Sequence, residues 1–208
     1  IDSFDEYITE VKEWVEAAYD FDLPVFLLGH SMGGLVAIRM LQEERVEIAG
    51  LILSSPCLGL VNYPSKMLNM LSHGLNVIVP TFRIPSGLSV EMATRNEDVR
   101  AVDANDSLYI TKVSVRWYRE LVAGMEQAFE NIDKVQDVPT LLVQGGDDQI
   151  VDKRSVKEWF NNAPLSEKRY KEWPKCYHEV FNEPEREEVF DYAHDFVISQ
   201  LKAIGYVY

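Results

Sequence analysis

Gly29-His30-Ser31-Met32-Gly33-Gly34 sets one serine among glycines. A serine hydroxyl is a poor nucleophile unless it is held exposed beside a base. A Gly-x-Ser-x-Gly string does this where it turns sharply from a strand into a helix. The flanks fit that context. Leu23-Pro24-Val25-Phe26-Leu27-Leu28 is a short apolar run without alternation, as in a strand buried on both faces, and Leu35 to Leu41 continues as a helix. Such a turn leaves no room for neighbouring side chains, which would account for Gly29 and Gly33. The N–H of Met32, at the start of that helix, would face an oxyanion forming at a carbonyl under attack. The bare string is common by chance, and its plain alternative is a tight turn carrying an incidental serine. The strand-to-helix setting favours the nucleophile.

A serine on such a turn needs an acid and then a histidine further along the chain. Asp148 follows the apolar run Thr140-Leu141-Leu142-Val143-Gln144, in Gly145-Gly146-Asp147-Asp148-Gln149-Ile150-Val151. Asp147 adjoins it and Asp152 is near, so spacing leaves the acid open among the three. His178 stands in Tyr177-His178-Glu179, beyond a predicted short strand from Arg169 to Trp173. Of the other histidines, His30 lies inside the turn, His73 in the middle of the chain and His194 on the closing helix. Elimination selects His178 as the base. Loops at the carboxyl ends of parallel strands open on one edge of a sheet, so residues this far apart can converge. Cys176 has no activating neighbour in the sequence and reads as a packing residue. The four histidines are too scattered for a metal motif such as His-Glu-x-x-His, and the chemistry implied requires neither metal nor cofactor.

The elements that must position these groups alternate between strand and helix. Ser3 and Glu6 have capping-box spacing ahead of a helix with Phe4, Tyr7, Ile8, Val11, Trp14, Val15 and Ala18 on one face. Ile48 to Leu53 predicts a second buried strand, completing a βαβ unit. From Pro56 to about Pro139 the pattern changes. Met67, Leu68, Met70, Leu71, Leu75, Val77, Ile78, Val79 and Phe82 are interrupted by Pro80 and Pro85, and a helix follows with Trp117, Leu121, Met125, Ala128 and Ile132 on one face. Residues 59–134 therefore read as an insertion between a core part at 1–58 and a second core part at 135–208. Connecting helices packed on the sheet are the alternative. Asp152 can cap a helix with Val156, Trp159 and Phe160. The closing helix carries Phe190, Ala193, Val197 and Leu201, with Pro184 in its first turn.

Composition narrows the classes. With 47% hydrophobic and 11% aromatic residues, the 208-residue chain can bury a substantial core, which excludes intrinsic disorder. Its formal charge of −14 repels phosphate backbones and anionic lipid surfaces, so nucleic acid is not an expected partner. Cys57 and Cys176 cannot make a disulfide framework and fit a cytoplasmic protein with reduced thiols. The longest uncharged run, Ile48 to Ser65, is broken by Pro56, Gly59 and Pro64, so it is not a membrane span.

The sequence resembles the serine hydrolases of the α/β-hydrolase fold, in particular the monoacylglycerol lipase and lysophospholipase group. The resemblance rests on Phe26 to Gly34, on Leu51-Ile52-Leu53 running into Ser54-Ser55-Pro56, and on Pro139 to Gly145. It implies a mostly parallel sheet flanked by helices, and a helical lid at 59–134 over an acyl-chain pocket. Lid candidates for binding substrate are Met67, Leu71, Val79 and Phe82. The group's Gly-x-x-Asp-x-x-Val pattern fits Gly145, Asp148 and Val151, which favours Asp148, and its histidine matches His178. The implied reaction is hydrolysis of monoacyl lipid esters by Ser31, His178 and Asp148 through an acyl-enzyme. Alternatives are a short-chain esterase, thioesterase or peptidase of the same fold, or a non-catalytic binding remnant. The implied partner is a small-molecule or lipid ester, with transient membrane contact through the lid. One departure stands out. Members of the group carry several strands before the first helix seen here, with a His-Gly loop that supplies a second oxyanion donor. By this resemblance those strands and that donor are absent from the chain, Val25 to Leu28 form an unpaired apolar edge, and a longer protein is expected.

Overall fold

A computed structural model describes residues 1–206. The chain opens with α1 (Asp5–Ala18). Glu6 Oε1 accepts the N–H groups of Asp2 (2.7 Å) and Ser3 (3.1 Å), which is the glutamate half of the anticipated capping box. Ser3 Oγ accepts from Asp5 N at 3.2 Å, one position earlier than the box requires. The buried face of α1 carries Ile8 and Val15, continuing from Phe4 just before it, while Trp14 lies 71% exposed, off the face expected for it.

Next come β1 (Phe26–His30), α2 (Met32–Glu43) and β2 (Gly50–Ser54). The first strand starts later than its apolar run suggests and continues into the turn itself. Between β2 and the next strand of the main sheet lie α3 (Lys66–Ile78), β3 (Arg83–Pro85), α4 (Val90–Ala93), α5 (Glu97–Asp103), β4 (Lys112–Ser114) and α6 (Val115–Glu130). The short strands β3 and β4 pair antiparallel, with Ile84 opposite Val113. The chain closes with β5 (Thr140–Gly145), α7 (Lys153–Asn162), β6 (Lys168–Trp173) and α8 (Arg186–Ala203).

β1, β2, β5 and β6 form one parallel sheet in the order β1-β2-β5-β6. Every residue of β2 and β5 is buried. Period-two alternation divides their side chains between the two faces. Leu51, Leu53 and Leu142 join Leu35, Ile38 and Met40 of α2 and Leu121 and Met125 of α6 in one core. Ile52, Leu141 and Val143 face Val189, Ala193 and Phe196 of α8 in the other. The buried stripe of α8 is thus Val189, Ala193, Phe196 and Gln200; Phe190, placed inward by the sequence reading, is exposed. On its other side β1 has no strand partner among the described residues, and Leu28 is 53% exposed.

The middle segment behaves in two ways. α6 packs into the core: Gln42 Nε2 and Trp159 Nε1 both donate to Ala128 O, at 2.8 and 3.1 Å. α3 is buried only at Ser72. No described helix is long and apolar enough to cross a membrane.

Candidate active site

Ser31 sits between β1 and α2 with φ 52° and ψ −120°, a conformation that costs energy in a non-glycine residue and clusters at functional sites. Its backbone is fixed on both sides. Ser31 N donates to Ser54 O (2.9 Å), and Ser31 O accepts from Cys57 N (2.9 Å) and Gly34 N (3.0 Å). The glycines explain how the turn closes, with one correction to the sequence reading. A Cβ on Gly29 would meet Gly33 O at 2.6 Å, and one on Gly34 would meet Pro56 Cβ at 2.8 Å. A Cβ on Gly33 would meet nothing within 4 Å, so the cramped pair is Gly29 and Gly34. Met32 opens α2, where the first turn of a helix leaves N–H groups without intrahelical partners.

The acid loop leaves the carboxyl end of β5. Asp148 Oδ1 accepts from the N–H groups of Ile150 and Val151, both at 2.9 Å. Oδ2 accepts from His178 Nδ1 at 2.9 Å and from Gln144 Nε2 at 3.0 Å. The Asp148 side chain is fully buried. Its rivals are engaged elsewhere or exposed: Asp152 caps α7 through Arg154 N and pairs with the Arg154 guanidinium, and Asp147 faces solvent. An ionised carboxylate only accepts, so the proton of neutral His178 resides on Nδ1 and leaves Nε2 free as a base.

The histidine loop rests directly on the acid strand. A Cβ on Gly145 would fall 1.9 Å from Tyr177 O, so only glycine lets the two backbones meet. The peptide groups flanking His178 are held from two directions: Tyr177 N donates to Glu183 Oε1 (3.1 Å), and Glu179 N to Ala93 O (2.8 Å). Glu183 is completely buried and also takes Arg95 N (2.9 Å) and Arg95 Nε (2.7 Å). Arg95 pairs with Glu185 as well. Cys176, Glu183 and Glu185 come close enough together to offer a metal three ligand atoms. The Arg95 guanidinium already balances both carboxylates there, and the cluster reads as a brace. Burial, reinforced by Glu185, pushes the Cys176 thiol up to about 12, and burial does the same to Cys57. Neither cysteine is an activated thiolate.

His30 connects turn and loop. Its ring lies 4.7 Å from that of His178, centroid to centroid, and its Nδ1 meets Ser54 O at 3.1 Å. Burial first, and then the neighbouring His178, lower its pKa to about 4, so it stays neutral at physiological pH. The Ser31 turn and the Asp148–His178 pair therefore adjoin at one end of the sheet. No hydrogen bond joins Ser31 Oγ to His178 among the described residues, and contacts of this kind are commonly loose without substrate. Met67 and Leu71 lie on α3, with Val79 and Phe82 just beyond it, all with side chains open to solvent.

Three contributors escaped the sequence reading. The His30–His178 contact requires the folded geometry. Glu183 looks like any acidic residue before a helix. Gln144 did leave a signal, since it is the amide in an otherwise apolar strand running Leu141-Leu142-Val143-Gln144.

Comparison with known proteins bears on this geometry. The Hydrolase_4 family model, described as Serine aminopeptidase, S33, matches residues 1–185. The chain is 56% identical over 197 residues to Phospholipase YtpA of Bacillus subtilis (strain 168), covering 94% of this chain and 76% of that protein. It is 27% identical over 205 residues to the Monoacylglycerol lipase of Mycolicibacterium smegmatis, covering 94% and 72%. Among solved structures, the monoacylglycerol lipase of Paleococcus ferrophilus superposes with a TM-score of 0.84 at 27% identity, covering 95% of this chain and 76% of that one.

Proposed function

The chain belongs to the Hydrolase_4 (Serine aminopeptidase, S33) family and is an α/β-hydrolase of the lipase and esterase type. From that premise we propose that it hydrolyses monoacyl lipids, either monoacylglycerols or lysophospholipids, through an acyl-enzyme on Ser31. The observation that carries this reading is the 2.9 Å contact between His178 Nδ1 and the buried Asp148 carboxylate, beside the strained turn that holds Ser31. Names of relatives support the substrate class: one is a phospholipase and another a monoacylglycerol lipase.

Ser31 Oγ attacks the ester carbonyl while His178 Nε2 takes its proton, and Asp148 stabilises the resulting imidazolium. Met32 N–H donates to the oxyanion. Collapse of the tetrahedral intermediate expels the alcohol, which receives that proton from His178. Water then attacks the acyl-enzyme with His178 as base, and the fatty acid leaves as Ser31 regains its hydrogen. This chemistry needs no metal or cofactor.

The lid in this reading lies within residues 59–134, with Met67, Leu71, Val79 and Phe82 as its acyl-contacting side chains, while α6 of the same segment packs into the core. The packing of α3 supports a lipid-facing role because its polar side turns inward. Arg119 donates to Asn69 Oδ1 (2.9 Å) and Arg116 to Asn76 Oδ1 (2.8 Å), while Met67, Met70, Val77 and Ile78 face outward. Residues 48–90 contain no aspartate or glutamate, so the face around α3 escapes the acidic character of the chain and suits transient membrane contact. The two free, buried cysteines support a cytoplasmic setting.

Fluorophosphonate labelling and an acyl chain-length series test the proposal. Label on Ser31, and rates that peak at medium or long chains, are the expected results. An inert Ser31 points to a binding protein instead, and a peak at acetate to a short-chain esterase.

A further inference from the structure

Gln144 is wholly buried near the end of β5, with two acceptors at its amide nitrogen. Its Nε2 lies 3.0 Å from Asp148 Oδ2 and 3.2 Å from Gly145 O. Both neighbours accept hydrogen bonds and cannot donate to it, so the amide has one workable orientation, with its NH₂ toward the carboxylate. That orientation leaves Gln144 Oε1 buried without a partner. Folding alone gives no reason to keep a half-satisfied amide in a strand of leucine and valine, where an apolar side chain would avoid the penalty. What the amide does accomplish is specific. Asp148 Oδ2 is the oxygen that holds His178, so Gln144 shares the single atom through which acid and base communicate.

We infer that Gln144 is a positioning residue for the hydrolytic reaction: its Nε2–H fixes the Asp148 carboxylate toward His178 and moderates the negative charge the imidazole experiences. This deepens the proposed function and rests on it. An isolated carboxylate oxygen holds an imidazolium more tightly than one already shared with a second donor. Without the amide, His178 would retain its proton to higher pH and be less available as a base. The charged and titratable groups facing the pair are otherwise accounted for. His30 is held neutral, Lys153 pairs with Glu172, Arg154 pairs with Asp152, the Cys57 thiol is kept protonated by burial, and Asp147 is exposed. Glu179 directs its carboxylate to Asn182. None of these is altered by a change at position 144.

The test is the pH profile of kcat/KM for the Gln144→Met variant, which keeps volume and removes the donor. The acid limb should move upward by about half to one pH unit, so that kcat/KM falls about three- to tenfold at the foot of that limb and less on its plateau, with KM unchanged. A purely structural role would lower activity at every pH and leave the limb in place; a folded variant with an unmoved limb overturns the inference. Should the variant not fold, the native enzyme supplies the decisive measurement. The side-chain amide protons of Gln144, followed by ¹⁵N NMR, should shift as His178 titrates, and resonances that stay constant through that titration overturn it equally. Failure of the underlying reading looks different, because the wild-type protein would then leave Ser31 unlabelled by fluorophosphonate, or hydrolyse acetate esters in preference to longer chains.

Discussion

The buried end of the sheet and the exposed helix α3 contain similar apolar residues and use them in opposite ways. In β2 and β5 every side chain is enclosed, and the loops that leave their carboxyl ends are tied by hydrogen bonds to buried partners. In α3 the asparagines face the protein, clamped by Arg116 and Arg119, while methionine and isoleucine face outward. Burial of apolar surface stabilises a fold; apolar surface left outside is available to a ligand. On the proposed reading the sheet supplies geometry and the helix supplies affinity.

Breaking this division should give effects of very different size. Ser31→Ala should lower kcat by about 10⁶-fold while leaving the thermal midpoint unchanged or raised, since alanine there removes the proposed nucleophile without opening a cavity. An active variant would dissolve the contrast at once. Leu142→Ala, at a fully buried position in β5, should cost about 2–5 kcal/mol in denaturant unfolding.

His30 sharpens the comparison from inside the site. Its pKa is about 4 in the folded protein against an ordinary 6.5, so the unfolded chain binds the proton more readily between those values. Stability should therefore fall as pH drops from about 6.5 to 4, by up to about 3 kcal/mol. Carboxylates titrate in both proteins, so the difference between wild type and His30→Gln isolates this contribution, and the variant should show the flatter slope. Parallel slopes would remove His30 from the account. The smallest effect belongs to α3: Met70→Ser should change unfolding free energy by less than about 0.5 kcal/mol while raising KM for long-chain esters more than for acetate. A large loss of stability would mean that α3 supports the fold after all.

Much of this was legible in the residues. Gly29 to Gly34 between an apolar strand and a helix announces the turn, although β1 proves to be a partly exposed edge strand rather than one buried on both faces. Asp148 and His178 follow from chain order together with a family pattern, and the structure places their side chains in contact. What resisted reading was sidedness. Trp14 and Phe190 belong to helices that were correctly expected, but a small error in rotation moves a side chain from core to solvent. The inward polar face of α3 contradicts the usual amphipathic assumption, so periodicity alone could not orient it. Gly33 looked as constrained as its neighbours because steric crowding depends on Pro56, more than twenty positions away.

The contact of Gly145 with the carbonyl of Tyr177 has a consequence for how activity could be switched. The imidazole is carried on a backbone that lies flush against the strand bearing its carboxylate, so a shift of one presses directly on the other. Withdrawing the proposed base to silence the enzyme would mean breaking the hydrogen bonds that hold Tyr177 N and Glu179 N. Control over turnover is left to whatever admits or refuses the ester at the mouth of the site.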